Sequence, residues 1–199
     1  ATWRALGLLA EGRGYPVSAG RVLEVPVAGG STGVPADAEA VSLNVTVTQP
    51  GRSGYLAVYP CGTARPGTSN VNFRAGETIA NAVAVGVGAG GKVCIYTSTT
   101  THVVVDYAGY FPAGSPLTPM KPQRLLDTRQ TAGKPSAGSD TAVQLPAGAA
   151  AGALMVTVTQ PATVGWVSAY PCGTPWPGTS SVNFIAGQTI AGSAIVKAI

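Results

Sequence analysis

The chain has 199 residues, of which 45% are hydrophobic and only 10% charged, against about 25% charged in an average soluble domain. Twelve basic and eight acidic residues leave a net charge of +4, and no two bases are adjacent, which excludes the clustered basic stripe of a nucleic-acid groove. No apolar run approaches the ~20 residues that span a bilayer as a helix, while 27 glycines and 16 prolines describe a turn-rich chain with material for a core.

Residues 5–12, ALGLLAEG, form the only helix-compatible stretch, which is short and uncapped. The N-terminus lacks the basic flank, apolar core and cleavage site of a secretory leader in their usual order. From residue 41 the pattern changes. VSLNVTVTQ (41–49) alternates, with Val41, Leu43, Val45 and Val47 on one face and Ser42, Asn44, Thr46 and Thr48 on the other. That period of two predicts a half-buried strand. GYLAVYP (54–60), SNVNF (69–73), IANAVAVGV (79–87), KVCIYT (92–97) and HVVVDYAGYF (102–111) are further predicted strands, rich in β-branched and aromatic residues. QPGRSG, ARPG, RAGE and GAGG supply the turns between them. Short strands at this spacing predict an all-β sandwich or barrel-like fold.

The chain then repeats itself. VYPCGTARPGTSNVNF (58–73) and AYPCGTPWPGTSSVNF (169–184) agree at twelve of sixteen positions, with an offset of 111 that runs without gaps from Val45/Val156 to Val85/Val196. The expected organisation is a first β repeat over 1–113, a Pro-rich connector over 114–123 and a second, incomplete repeat over 124–199. Within the first copy, Cys61 and Cys94 are the expected disulfide, which implies an oxidising compartment. Three buried free thiols are the alternative, and zinc is disfavoured because no CxxC or nearby His completes a ligand set. Cys172 is left unpaired in this chain, because the offset from Cys94 leads to position 205, past Ile199. The expectation is an excerpt of a longer chain. The alternative is a true half-repeat whose open sheet edges pair with another chain.

Candidate chemistry is sparse. GVGAGGK (86–92) matches GxGxxG in form, but a strand follows where phosphate binding needs a helix, so its glycines are expected to make a tight turn between two strands. His102, the only histidine, and Asp106 lie on one predicted strand about 13 Å apart at ~3.3 Å per residue. No GxSxG elbow is present, and no catalytic, metal or cofactor site is expected. Trp176 stands where the first copy has Arg65, in an expected exposed loop, and Trp166 replaces Tyr55. These three, Trp176, Arg65 and Trp166, are the candidate ligand contacts, since an exposed aromatic can stack on a sugar ring. Arg124, Asp127 and Arg129 are spaced for a structural ion pair closing a turn at a strand end.

PQRLLDTR (122–129), VTVTQP, YPCGT…PGTSxVNFxAGxTIA, VCIY and VVVDYAGYF together resemble a repeat domain of secreted actinobacterial proteins, found in surface proteins and appended to extracellular hydrolases. The resemblance spans nearly the whole chain and implies an extracellular, disulfide-bonded β-domain without an activity of its own. It departs at the N-terminus, where Arg4 and Leu6 can align with Arg124 and Leu126 but Gly7 stands for Asp127. The expected function is a non-catalytic structural or adhesion module of a secreted or cell-surface assembly, possible as a filament or complex subunit. Its expected partners are other copies of the repeat or other chains of that assembly, without nucleic acid or membrane insertion. The alternative is a carbohydrate- or cell-wall-binding module appended to a secreted hydrolase, contacting extracellular polysaccharide.

Overall fold

The computed structural model describes residues 2–4, 15–131, 133–178 and 180–198. The helix-compatible stretch 5–12, with Leu6 and Gly7, lies outside them. Twelve strands are described: β1 (Thr2–Arg4), β2 (Val22–Pro26), β3 (Ala40–Thr48), β4 (Gly54–Pro60), β5 (Val71–Phe73), β6 (Ile79–Gly86), β7 (Lys92–Thr97), β8 (His102–Phe111), β9 (Ala151–Thr159), β10 (Gly165–Val167), β11 (Val182–Phe184) and β12 (Thr189–Lys197). The fold is all-β, with only single 3-10 turns besides.

Two four-stranded antiparallel sheets, in the orders β1-β8-β3-β6 and β2-β7-β4-β5, pack face to face. The alternation read from β3 decides which side chains meet between them. Val41, Leu43, Val45 and Val47 are at most 1% exposed, while Ser42, Asn44, Thr46 and Thr48 are half-buried on the other face. Leu56 and Val58 of β4, Val83 of β6, and Val93 and Ile95 of β7 complete that core. Cys94 pairs in register with Tyr59, and its sulfur is bonded to Cys61, just beyond β4. The disulfide lies with Tyr59 and Tyr96 on the opposite face of the same sheet. It is compatible with an extracellular location, and among the described residues no helix is long and apolar enough to cross a membrane.

Residues 86–92 connect β6 to β7. The glycines make the expected tight turn, a 3-10 turn over Ala89–Gly91 closed by the Gly88–Lys92 bridge, but the strands it joins, β6 and β7, lie in different sheets. Gly88 has no room for a side chain there: a Cβ would sit 2.2 Å from the Cys61 nitrogen and 2.4 Å from its oxygen.

Local geometry recurs 111 residues later. Gln49 and Gln160 both have positive φ, 54° and 49°. Gly76 N–H donates to the Pro50 carbonyl and Gly187 N–H to that of Pro161, both at 2.8 Å. Thr63 and Thr174 hydroxyls each donate back three residues, to Pro60 and Pro171. The larger framework differs. In the second copy β9 pairs only with β12, and β10 only with β11. Leu154, Val156 and Val158, the counterparts of fully buried residues of β3, are half-buried. Among the described residues after 112, Val182 alone is buried.

The connector does not hang free. Gly114 N–H donates to Glu39 Oε1 at 3.1 Å, Pro119 packs on Gly86, and Arg124 Nη2 donates to the Gly67 carbonyl at 3.1 Å. These contacts hold the proline-rich segment along the first copy, where a bare spacer would touch nothing.

Candidate functional site

The two copies meet where β12 lies against β5 and β6, the edge strands of the two sheets. The Ser193 hydroxyl donates to the Ala82 carbonyl, its counterpart position in the first copy. Asn81 Nδ2 donates to the Asn70 carbonyl at 2.7 Å and to Met155 Sδ at 3.1 Å, and Met155 packs against the core of the first sandwich. Met155 and Ser193 belong to the face of β9 and β12 that points away from their own inward set of Leu154, Val156 and Val158. Their counterparts in the first copy are Asn44, half-buried, and Ala82, exposed. The second copy thus presents a thioether and a hydroxyl where it covers its neighbour. The first copy has a polar amide and a small side chain where nothing of that kind is covered. Sequence reasoning did not single out Met155, Ser193 or Asn81. The signal was available in the positions where the two copies differ on the outward alternation.

Trp166 and Trp176 come together. Their rings stack at 4.9 Å between centroids and 15° between planes, and they are 50% and 52% exposed. Beside them lies an open concavity of about 580 Å³ lined by Val164, Trp166, Phe184, Ile185, Gln188 and Ile190. Arg65 is elsewhere, in the first copy, with its guanidinium 4.0 Å above the Tyr96 ring, and Tyr96 lies 5.8 Å from Tyr55. The two counterpart loops therefore make different stacks. In the first copy Arg65 leans on a tyrosine of β7. In the second, Trp176 leans on Trp166 itself. Such an aromatic pair contributes about 0.5–1.5 kcal/mol beyond its buried area.

Arg124, Asp127 and Arg129 are brought together as expected, but not at a strand end. Asp127 caps the 3-10 turn Thr128–Gln130, within the strandless run between β8 and β9. Its carboxylate accepts from Arg124 Nη1 at 2.9 Å, from Arg129 Nε at 2.9 Å and Nη2 at 2.6 Å, and from the Arg129 backbone N–H. The Arg129 guanidinium, then that of Arg124, holds the Asp127 carboxyl well below the usual carboxylate range. Since Arg124 also binds Gly67, this clamp ties the start of the second copy to the PGTS loop of the first. The Asp127 carboxylate, 9% exposed, is taken up by the two guanidinium groups and a backbone N–H, which suits a tether more than a ligand site.

Cys172 is an exposed free thiol in the segment between β10 and β11. Tyr170, two residues earlier, donates its hydroxyl to Asp140 at 2.6 Å, and that bond raises its pKa. His102 and Asp106 occupy separate positions of β8, opposite Thr48 and Asn44 of β3, too far apart along an extended strand to share a proton. Among the described residues no three His, Cys, Asp or Glu side chains are grouped to hold a metal ion. The geometry can hold surfaces together. Comparison with known protein families, with curated proteins and with solved structures finds no match for this chain.

Proposed function

We propose that this chain is a non-catalytic structural or adhesion module of an extracellular or cell-surface assembly, in which copies of one β fold stack into a stiff element. The observation that carries the reading is the seating of β12 against β5 and β6, with Met155 on the core of its neighbour. The Asp127 clamp and the docked connector support it, because two further contacts restrict how the copies can turn relative to each other. Inter-repeat faces of this kind add stability to each unit they join and propagate along an array. The disulfide suits an oxidising, extracellular setting.

The test is a distance measurement by pulsed electron resonance between spin labels on native Cys172 and on an Arg52→Cys variant. A single narrow distribution is expected, broadened by Met155→Lys. A broad distribution in the unmodified pair would mean two independent beads and would overturn the stacked reading. A second reading, a glycan- or cell-wall-binding module, draws on the exposed Trp166–Trp176 pair beside its concavity. It predicts retention on insoluble polysaccharide that Trp166→Ala abolishes, and no retention on any glycan would remove it.

A further inference from the structure

Given the stacked arrangement of the copies, on which this inference rests, we propose that the side of the first sandwich between β5 and β6 is a selective docking surface. Its partner is a copy of the same fold that carries a thioether at the position of Met155, and Asn81 is the residue that selects it.

The socket starts from a break in a pattern. β6 turns Ile79, Asn81, Val83 and Val85 toward the sandwich interior, so Asn81 is a buried amide at a position where its neighbours are apolar. Buried polar groups need hydrogen-bond partners. One partner lies in the same copy, where Nδ2 donates to the carbonyl of Asn70, just before β5, at 2.7 Å. The other comes from the second copy: Met155 Sδ accepts from the same nitrogen at 3.1 Å. The rest of the Met155 side chain packs on the core to which Val83 and Val85 belong. Two acceptors thus match the two N–H groups of one carboxamide.

Methionine suits this place because it is apolar along its length and still offers an acceptor. Leucine fills a similar volume but leaves one N–H unmet. Asparagine brings a second polar group to an apolar seat. Ser193 acts differently. Its hydroxyl donates to the Ala82 carbonyl on the edge strand β6, and every edge strand offers backbone carbonyls of that kind. That bond adds hold without choice.

The fit runs one way. In the second copy the counterparts of Asn81 and Asn70 are Gly192 and Ser181. There β12 lies directly on the start of β11: a Cβ at Gly192 would be 2.7 Å from Val182 Cγ2 and 3.0 Å from the Ser181 carbonyl oxygen. The space that holds an amide in the first copy is closed by a buried valine in the second. On the docking face, the first copy has Asn44 and Ala82 where the second has Met155 and Ser193. Asn44 set against Val182 and Gly192 would find no side chain to pair with, and mismatches of this kind separate right from wrong partners. The socket of the first copy and the face of the second are therefore made for each other in that order.

The experiment uses the full chain with Cys172→Ser and spin labels on Arg52→Cys and on its counterpart Thr163→Cys, both at exposed positions. Pulsed electron resonance gives the ratio of seated to unseated forms at the urea concentration where the parent pair is half seated. Met155→Leu and Met155→Asn should each lower that ratio at least about fivefold, the scale of a buried N–H left without a partner. In an Asn81→Val background the preference should vanish, so that Met155→Leu changes the ratio by less than about twofold, as a volume-conserving swap does. Exchange of the Asn81 side-chain protons, followed by NMR, leaves the first copy unaltered and decides the matter if Asn81→Val does not fold. It should be slow in the parent and faster in Met155→Leu. A broad distance distribution in the parent without urea would overturn the stacked arrangement itself. A narrow parent distribution, with Met155→Leu equally well seated and Asn81 exchange unchanged, would leave that arrangement standing and overturn selection by Asn81. So would a preference for methionine that survives Asn81→Val.

Discussion

Replacing Gly88 by alanine separates two reasons for a glycine. Its φ of −98° and ψ of −167° lie in extended backbone that any residue adopts. By conformation alone the change should stabilise, by about 0.4–1 kcal/mol, because alanine restricts the unfolded chain. Packing dictates the opposite. The new Cβ would lie 2.2 Å from the nitrogen and 2.4 Å from the oxygen of Cys61, and 2.6 Å from the Pro60 carbonyl carbon. These are backbone atoms beside a disulfide and cannot swing away as a flexible side chain would.

Relief requires the crossing at 86–92 to lift, which strains Gly88 N–H to the Lys92 carbonyl at 2.9 Å and Ala89 N–H to the Cys61 carbonyl at 2.8 Å. Overpacking of about 1–3 kcal/mol and the weakening of two hydrogen bonds worth ~1 kcal/mol each outweigh the unfolded-state gain. Gly88→Ala should therefore lose about 2–4 kcal/mol in urea unfolding, and its Cys61–Cys94 bond should be reduced faster by a small thiol. Gly51→Ala is the control, since nothing lies within 4 Å of its Cβ and its φ is not positive. It should be neutral or slightly stabilising. A Gly88→Ala protein as stable as the parent would refute the close-approach account.

Replacing Cys61 and Cys94 together by alanine opens a loop of 33 residues, for which the chain-entropy estimate is about 3.7 kcal/mol of lost stability. Cys172→Ser should leave the unfolding midpoint unchanged, and chemical denaturation compares the two. Burial, and then the nearby Tyr110, pushes the Tyr107 phenol up to about 12, and its hydroxyl is buried without a partner among the described residues. The folded chain holds that proton above the value near 10 of an unfolded tyrosine, so the contribution is full below pH ~10 and is lost as pH rises toward 12. Tyr107→Phe should remove this part of the alkaline loss and at neutral pH be equal or up to about 1 kcal/mol more stable. Asp127 is depressed instead, so its clamp is present above the ordinary carboxylate value near 3.9 and is lost only as pH falls through its lower folded value. Asp127→Asn should speed amide exchange at residues 127–131 and loosen Arg124 from Gly67, seen by NMR, with little change in the global midpoint.

Much of the sandwich was legible before any coordinates. Val41, Leu43, Val45 and Val47 alternate over enough residues that only an extended strand puts them on one face. The runs at 54–60, 92–97 and 102–111 begin and end where the strands do. The repeat left Cys61 and Cys94 as the two cysteines of the complete copy, which predicted the bond the structure shows. β2 was not recognised, although Leu23 and Val25 alternate inward. It has only five residues, one of them Glu24 and the last a proline, and such a strand is viable because it sits at a sheet edge. Its Glu24 pairs with Lys92 of β7 only once the two strands are neighbours.

By itself, then, the sequence determined the period-two strands, the disulfide within the first copy and the 111-residue recurrence of its turns, because each rests on residues close in the chain or on direct self-similarity. Tertiary structure alone decided which sheet each strand joins: β6 and β7 are consecutive, yet they lie in opposite sheets. It also decided that Met155 and Ser193 face a neighbour, and that Tyr59-Pro60 is strand while its twin Tyr170-Pro171 is not. The physical reason is common to all three. A strand's hydrogen bonds and its apolar face are completed by other parts of the chain, so identical residues acquire different structures when their neighbours differ.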